Sequence, residues 1–412
     1  MNPIDTVWML ISTALVMLMV PGLALFYAGL VKDKNVITTI MHVFMKLCLI
    51  SIIWILLGYS LSFGESKFGG LIGGLNFLWM KNVGLEVYPG TAIPHLLFAT
   101  YQGMFAVITV AIITGSFAER TRLGPILIFG ALWVLLVYAP IAHWIWGGGW
   151  LHQKFKTLDF AGGAVVHLSS AVAGLVAAIY IGKRNGLDYA KIEPPHNVTL
   201  TFIGAGLLWF GWFGFNAGSA LAANDIAVIA FVNTNLAGAA GAVAWFTIEL
   251  IWKKHVTLIG AISGAVAGLA AITPAAGFIA PTYAIPVGLI AGVICYCGVC
   301  CLKPKFKYDD SLDAFGIHGI AGLWGLIAAG IFASTDINPA GAQGLIAGDS
   351  TLLINQLVSS VIVILYSALV TLLILKLVDF FVTIRVSEIE EFEGLDASQH
   401  GEKGYNINLN LL

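Results

Sequence analysis

Charge is what this sequence has least of. Only 10% of its 412 residues are Asp, Glu, Lys or Arg, while 59% are hydrophobic and the mean hydropathy is +0.91. An average soluble domain is about a quarter charged and about half apolar, so a water-soluble globule is excluded. A basic excess is missing too: 20 Lys and Arg face 22 Asp and Glu, a net charge of -2, leaving nothing to neutralise a phosphate backbone. Nucleic acid is therefore not an expected partner. Cysteine is scarce, and Cys48, Cys295, Cys297, Cys300 and Cys301 lack the even, spread-out pattern of a secreted disulfide scaffold. They read as reduced thiols that pack. No Walker A, GxSxG or HExxH string occurs, which leaves an enzymatic reading without support and calls for no cofactor.

Long apolar runs are what the chain has instead. A hydrocarbon core of about 30 Å takes about 20 apolar residues per helix, and eleven such runs are expected, at 6–31, 38–63, 91–117, 123–146, 161–182, 197–221, 226–252, 256–273, 276–302, 314–334 and 351–383. The first lacks a basic n-region and a cleavage site and reads as a retained helix, so the mature chain is expected to start near Met1. Lys and Arg alternate between the loops. Lys32, Lys34, Arg120, Arg122, Lys183, Arg184, Lys191, Lys253, Lys254, Lys303, Lys305, Lys307 and Arg385 fall on one side, against Lys67, Lys81, Lys154 and Lys156 on the other. The positive-inside rule makes the rich side cytoplasmic, with the N-terminus out and the C-terminus in. The fold class is therefore an all-α integral membrane protein. Its membrane domain runs over 1–385 and a cytoplasmic tail over 386–412.

Two stretches repeat. His167 followed by Gly174-Leu175-Val176-Ala177-Ala178 matches His318 followed by Gly325-Leu326-Ile327-Ala328-Ala329, and Phe26-Tyr27-Ala28-Gly29 resembles Phe215-Asn216-Ala217-Gly218. They divide the spans into two five-helix copies, about 6–182 and 197–334, with the 351–383 helix added. Five is odd, so the second copy enters from the opposite face and the repeats are inverted, an arrangement that places substrate sites near the midplane.

Ionisable groups inside a membrane are costly and default to functional candidates. His167 and His318 sit at equivalent places of the two copies, where two neutral imidazoles can share an N–H···N bond and accept or pass a proton. Two histidines without carboxylate or thiolate company make a poor metal site, and no metal is expected. Asp159, before Phe160-Ala161-Gly162-Gly163, reads first as a cap for the helix start and second as a charge that steadies a cation. Trp146, ahead of Gly147-Gly148-Gly149, is either interfacial or a ring face for a desolvating cation. Ser219 can accept a hydrogen bond from the same guest, while Phe105 and Phe215 lie among glycines where a ring can project into a narrow space. Lys46, among Met45, Leu47 and Leu49, is expected to snorkel or to face a protein cavity. The spacing of Cys295 to Cys301 is wrong for structural zinc, Gly260, Gly264 and Gly268 form a close-packing stripe, and Asn197-Val198-Thr199 is a chance glycosylation match.

These strings resemble the ammonium transporter (Amt/Mep/Rh) family, in its Amt branch. The likeness is carried by Asp159-Phe160-Ala161-Gly162-Gly163 through His167, by Gly211-Trp212-Phe213-Gly214-Phe215-Asn216-Ala217-Gly218-Ser219, by Phe117-Ala118-Glu119-Arg120, and by Asp313-Ala314-Phe315-Gly316-Ile317-His318-Gly319. It implies an eleven-helix homotrimer of the cell membrane with one pore per subunit. It further implies recruitment of ammonium or methylammonium at Phe105, Trp146 and Ser219, a gate of Phe105 and Phe215, a twin-histidine pore at His167 and His318, and a site-shaping or deprotonating Asp159. Tyr101 stands where many members carry phenylalanine, so an extra hydroxyl in the outer cavity is expected. The tail resembles the family's regulatory segment, which implies a PII-type signal protein as partner at the cytoplasmic face. Two other readings stay open: an ammonium sensor speaking through the tail to a cytoplasmic partner, and a passive NH3/CO2 gas channel.

Overall fold

The computed structural model describes residues 1–189 and 194–405; Lys191, counted above among the basic loop residues, lies outside them. Among the described residues, ten helical stretches are long and apolar enough to cross a membrane. They are α1 (Pro3–Leu30), α2 (Asp33–Phe63), α3 (His95–Phe117), α4 (Leu123–Phe155, broken at 146–149), α5 (Gly163–Ile181), α6 (Val198–Gly218), α7 (Asp225–Trp252), α9 (Pro281–Phe306), α10 (Phe315–Phe332) and α11 (Thr351–Phe381). Between α7 and α9 lies the shorter apolar helix α8 (Leu258–Ile272), where the eighth run was expected. Helices suit this composition because an apolar solvent offers no partner to the backbone, so each segment must satisfy its own N–H and C=O groups. The starts are closed by side chains: Asn2 accepts from Ile4 and Asp5, Asn197 from Leu200, Asn224 from Ala227 and Thr257 from Gly260. Asn197 is thus engaged as a helix cap. A two-stranded antiparallel ribbon, Ser66–Lys67 with Ile72–Gly73, closes one loop.

The basic loops gather at one end. Glu119 accepts from Lys32 N at 2.8 Å and pairs with Arg184, Arg184 Nη2 meets Asp309 Oδ1 at 2.8 Å, and Arg385 Nη1 donates to Ile181 O at 2.9 Å. Burial would raise the carboxyl of Asp309, but the guanidiniums of Arg184 and Arg120 hold it at about 2. The ordinary aspartate value is about 3.9, so this network contributes fully above that range and is lost only as pH falls through about 2. At the opposite end Asn2 N bonds Ala92 O at 2.7 Å and Ala223 N bonds Asp5 Oδ1 at 2.9 Å.

Small residues let the helices approach. A Cβ at Gly204 of α6 would enter the backbone of Phe26 and Gly22 on α1, and one at Gly268 of α8 would enter the carbonyl of Ala237 on α7. The expected glycine stripe does pack: Gly264 lies on Gly241 and Gly268 on Ala237. Gly268→Ala is expected to destabilise the bundle by about 1–3 kcal/mol through overpacking; thermal denaturation in detergent, read by loss of the folded elution peak, checks it. An unchanged midpoint would refute the close-approach argument.

Candidate functional site

Both histidines sit in wide, π-helical turns, His167 in Gly163–Leu168 and His318 in Phe315–Gly319. Such turns cluster at functional sites because they re-aim a side chain without ending the helix. Each turn is held by an aspartate eight residues before its histidine. Asp159 Oδ1 accepts from Gly162 N at 2.8 Å and Gly163 N at 2.5 Å, and Oδ2 from Ala164 N at 2.7 Å and Val165 N at 3.0 Å. All four orphan donors of the helix start are met by one carboxylate. Its backbone carbonyl also accepts from Trp146 Nε1 at 2.7 Å, so Asp159 fixes the Trp146 indole as well as the histidine turn. The capping expectation holds in the geometry.

Phe105, Trp146, Asp159 and Ser219, predicted from four separate segments, line one cavity of about 670 Å³. Its floor is aromatic. Phe105 stacks on Phe215 with centroids 4.2 Å apart and planes at 24°, and the Trp146 ring stands edge-on to Phe105 at 5.9 Å and 88°. Behind Phe215, at 6.0 Å, comes His167, and then His318, whose ring centroid is 5.2 Å away and nearly parallel at 10°. The five rings therefore form a file leading from the cavity into the protein. Both histidines are buried.

Three expectations change on contact with the structure. The N–H···N bond between the histidines is not formed: both nitrogens of His167 and Nδ1 of His318 are buried without a hydrogen-bond partner. The Tyr101 hydroxyl does not line the cavity; it donates to the carbonyls of Gly214 and Phe215, both at 3.0 Å, and meets Ser219 Oγ at 3.3 Å. It braces α3 to α6 instead. Lys46 neither snorkels nor faces a cavity. It is fully buried, donates to Thr114 Oγ1 at 2.6 Å and lies 5.1 Å from the Phe117 ring. Ile389 and Phe392, on the short tail helix α12 (Glu388–Glu393), are exposed, while the tail itself is held by Arg122–Glu390 and Arg385–Glu391 pairs at 3.0 Å. Cys295 is buried with its thiol toward Ile317 O at 3.6 Å, and among the described residues no cluster of three His, Cys, Asp or Glu is placed to hold a metal.

Sequence reasoning passed over two residues. Trp212 stacks on His167 at 5.4 Å and 21°, locked by Nε1 donating to Thr273 Oγ1 at 2.9 Å. Its signal was spacing: Trp212, Phe215 and Ser219 recur at i, i+3 and i+7, one face of a helix. The other is Asp310, whose Oδ2 accepts from Phe315 N at 2.8 Å at the head of the His318 turn. Asp310 precedes His318 by the same eight residues that separate Asp159 from His167.

A multi-pass bundle with a file of buried rings running inward from a cavity defines an integral membrane protein of the transport class, located in the cell membrane. The chain belongs to the Ammonium Transporter Family, whose family model matches residues 7–405. It is 52% identical over 404 residues to the ammonium transporter of Bacillus subtilis (strain 168), covering 97% of this chain and 98% of that one. The crystal structure of Saccharomyces cerevisiae Mep2 superposes with a TM-score of 0.89 at 35% identity, covering 95% of this chain and 90% of that one. A structure described as a Sensor Amt Protein gives a TM-score of 0.89 at 27% identity, covering 96% and 98%.

Proposed function

We propose that this protein takes up ammonium by binding NH4+ in the cavity at Trp146, Phe105 and Ser219, removing a proton there, conducting NH3 past Phe105 and Phe215 along His167 and His318, and passing the released proton separately through the two imidazoles. The observation that supports the reading is the file of rings itself: a cavity lined by aromatic rings stands directly before the stacked Phe105 and Phe215 and a pair of unpartnered imidazoles. Potassium and ammonium are alike in size and charge. Only ammonium can shed its charge, whereas a permanent ion entering the constriction meets the full desolvation penalty. Asp159 is assigned the shaping of the vestibule through its four backbone bonds and its hold on Trp146.

The same reading takes α1–α11 as eleven spans in two inverted five-helix repeats, with α11 added, the basic end cytoplasmic, the N-terminus outside and the C-terminus inside. The membrane domain then ends at 385 and the regulatory tail follows. The unit is proposed to be a homotrimer, with a PII-type protein as cytoplasmic partner. A sensing role is a second reading, favoured by the likeness to the Sensor Amt Protein and by the tail's ion pairs to the membrane loops.

The test is reconstitution. Ammonium should evoke a current in proteoliposomes and potassium should not. Labelled uptake without current would leave a gas channel, and potassium current of comparable size would overturn the selection mechanism. In the same vesicles Trp146→Leu should raise the half-saturating methylammonium concentration about 2- to 30-fold at acidic pH, the worth of a cation–π contact of about 0.5–2 kcal/mol. An unchanged value would remove the vestibule from the mechanism.

A further inference from the structure

Most of the hydrogen-bonding side chains that line the cavity at Phe105 and Trp146 are already engaged. Asp159 takes four backbone N–H groups, Thr91 Oγ1 donates to Tyr88 O at 2.8 Å, and Thr157 Oγ1 meets Ser359 Oγ at 2.6 Å. Ser219 Oγ donates its proton to Phe215 O at 2.9 Å, which leaves that oxygen to act on a guest only as an acceptor. Gln102 differs from these. It lines the same cavity, yet its Oε1 is buried with no hydrogen-bond partner. The helix aims it there: Phe98, Gln102 and Phe105 fall at i, i+4 and i+7, one face of α3, and all three line the cavity. The backbone beneath is held as well, because a Cβ at Gly103 would come within 2.8 Å of the Trp54 ring, whose Nε1 donates to Ala99 O at 2.9 Å. A buried acceptor left unpaired is costly to keep, and that cost is offset when a donor arrives.

We propose that Gln102 Oε1 contacts the arriving cation directly, as a second oxygen acceptor of the cavity besides Ser219 Oγ, and that it reads the N–H groups of that cation. The ligand class is ammonium or an alkylammonium ion with at least one N–H. Ring faces attract a small cation through its charge and do not register its hydrogens. A buried amide oxygen adds that discrimination, because its bond forms only with a donor pointed at it. With NH4+ the bond is charge-assisted and about twice as strong as with a neutral donor, so Gln102 favours the ion over NH3. A carboxamide also carries no net charge, and a deprotonated guest is not held back by it. Gln102 precedes Phe105 by three residues, about 4.5 Å along the helix axis, so the contact is made ahead of the stacked rings.

The contact rests on the transport reading, and the experiment separates the two. Full-length protein in proteoliposomes takes up labelled methylammonium at neutral pH, with unlabelled ammonium or tetramethylammonium as competitor. Gln102→Met keeps the length of the side chain and removes the acceptor. The half-saturating concentration of methylammonium and the half-inhibitory concentration of ammonium should each rise about tenfold, the worth of one charge-assisted bond. Tetramethylammonium, which has no N–H, should compete as it does with the parent. Gln102→Glu keeps an oxygen in place and adds a charge, so it should lower the methylammonium value about threefold or more; it serves if Gln102→Met does not fold or if tetramethylammonium does not compete. In an active parent protein, an unchanged value in Gln102→Met, an equal rise for tetramethylammonium, or a rise in Gln102→Glu overturns the contact. A parent protein that moves no methylammonium refutes the transport reading first, and the contact with it.

Discussion

Asp159→Ala is expected to cost the protein about 4 kcal/mol or more. Four buried N–H donors lose their acceptor at once, each worth about 1 kcal/mol or more when orphaned. The carboxylate also neutralises the positive end of the α5 dipole, which adds to the loss. Because the carbonyl of Asp159 holds Trp146, a loosened turn would release the indole from its place above Phe105, and uptake should fall with stability. Asp159→Asn should lie between, since its amide nitrogen would face two donors with a third. The measurement is the melting midpoint in detergent alongside labelled methylammonium uptake. An alanine variant that melts within a degree or two of the parent and transports normally would show that the cap carries neither role.

His167→Ala should behave in the opposite way, sparing the fold and abolishing charge movement. Neither His167 nitrogen has a hydrogen-bond partner, so alanine breaks no buried polar bond and costs only packing, against Trp212, Phe215, His318 and Gly322. The imidazole is, however, the first proton-accepting group beyond Phe215. Ammonium-evoked current in proteoliposomes should drop to that of protein-free vesicles while the elution profile stays that of the parent. Current retained at the parent's level would exclude a proton path through this ring.

Much of this architecture was readable from residues alone, and the reasons are physical. Spans and basic loops follow from desolvation costs that act residue by residue, so the 256–273 run could be recognised although α8 is only 15 residues long. The cavity lining was readable in part because Asp159 and Ser219 belong to long, characteristic strings, while Phe105 and Trp146 stood out only as rings beside glycines, and the structure brings all four to one cavity. What the residues did not disclose is direction. Whether the Tyr101 hydroxyl points to the cavity or to the carbonyls of α6, and whether Lys46 reaches water or Thr114, depends on which neighbour fills the next groove. The same holds for the imidazole pair, whose parallel rings are set by two π turns that no periodicity announces. Asp310 is a different kind of omission: its spacing to His318 was in plain view, but a polar stretch such as Lys307-Tyr308-Asp309-Asp310 resembles solvated loop, and only burial reveals it as interior.

The backbone contact of α1 with α6 at Gly204 bears on how fast such a molecule can work. Helices seated glycine to backbone interlock like the teeth of a closed zip, and cannot rock past one another without prising the contact apart. Movement is then left to side chains, chiefly the stacked rings of Phe105 and Phe215, whose excursions are far quicker than a domain swing. On the proposed path the solute would be spared waiting for the protein to turn over, and throughput would be set by how often a ring tilts aside.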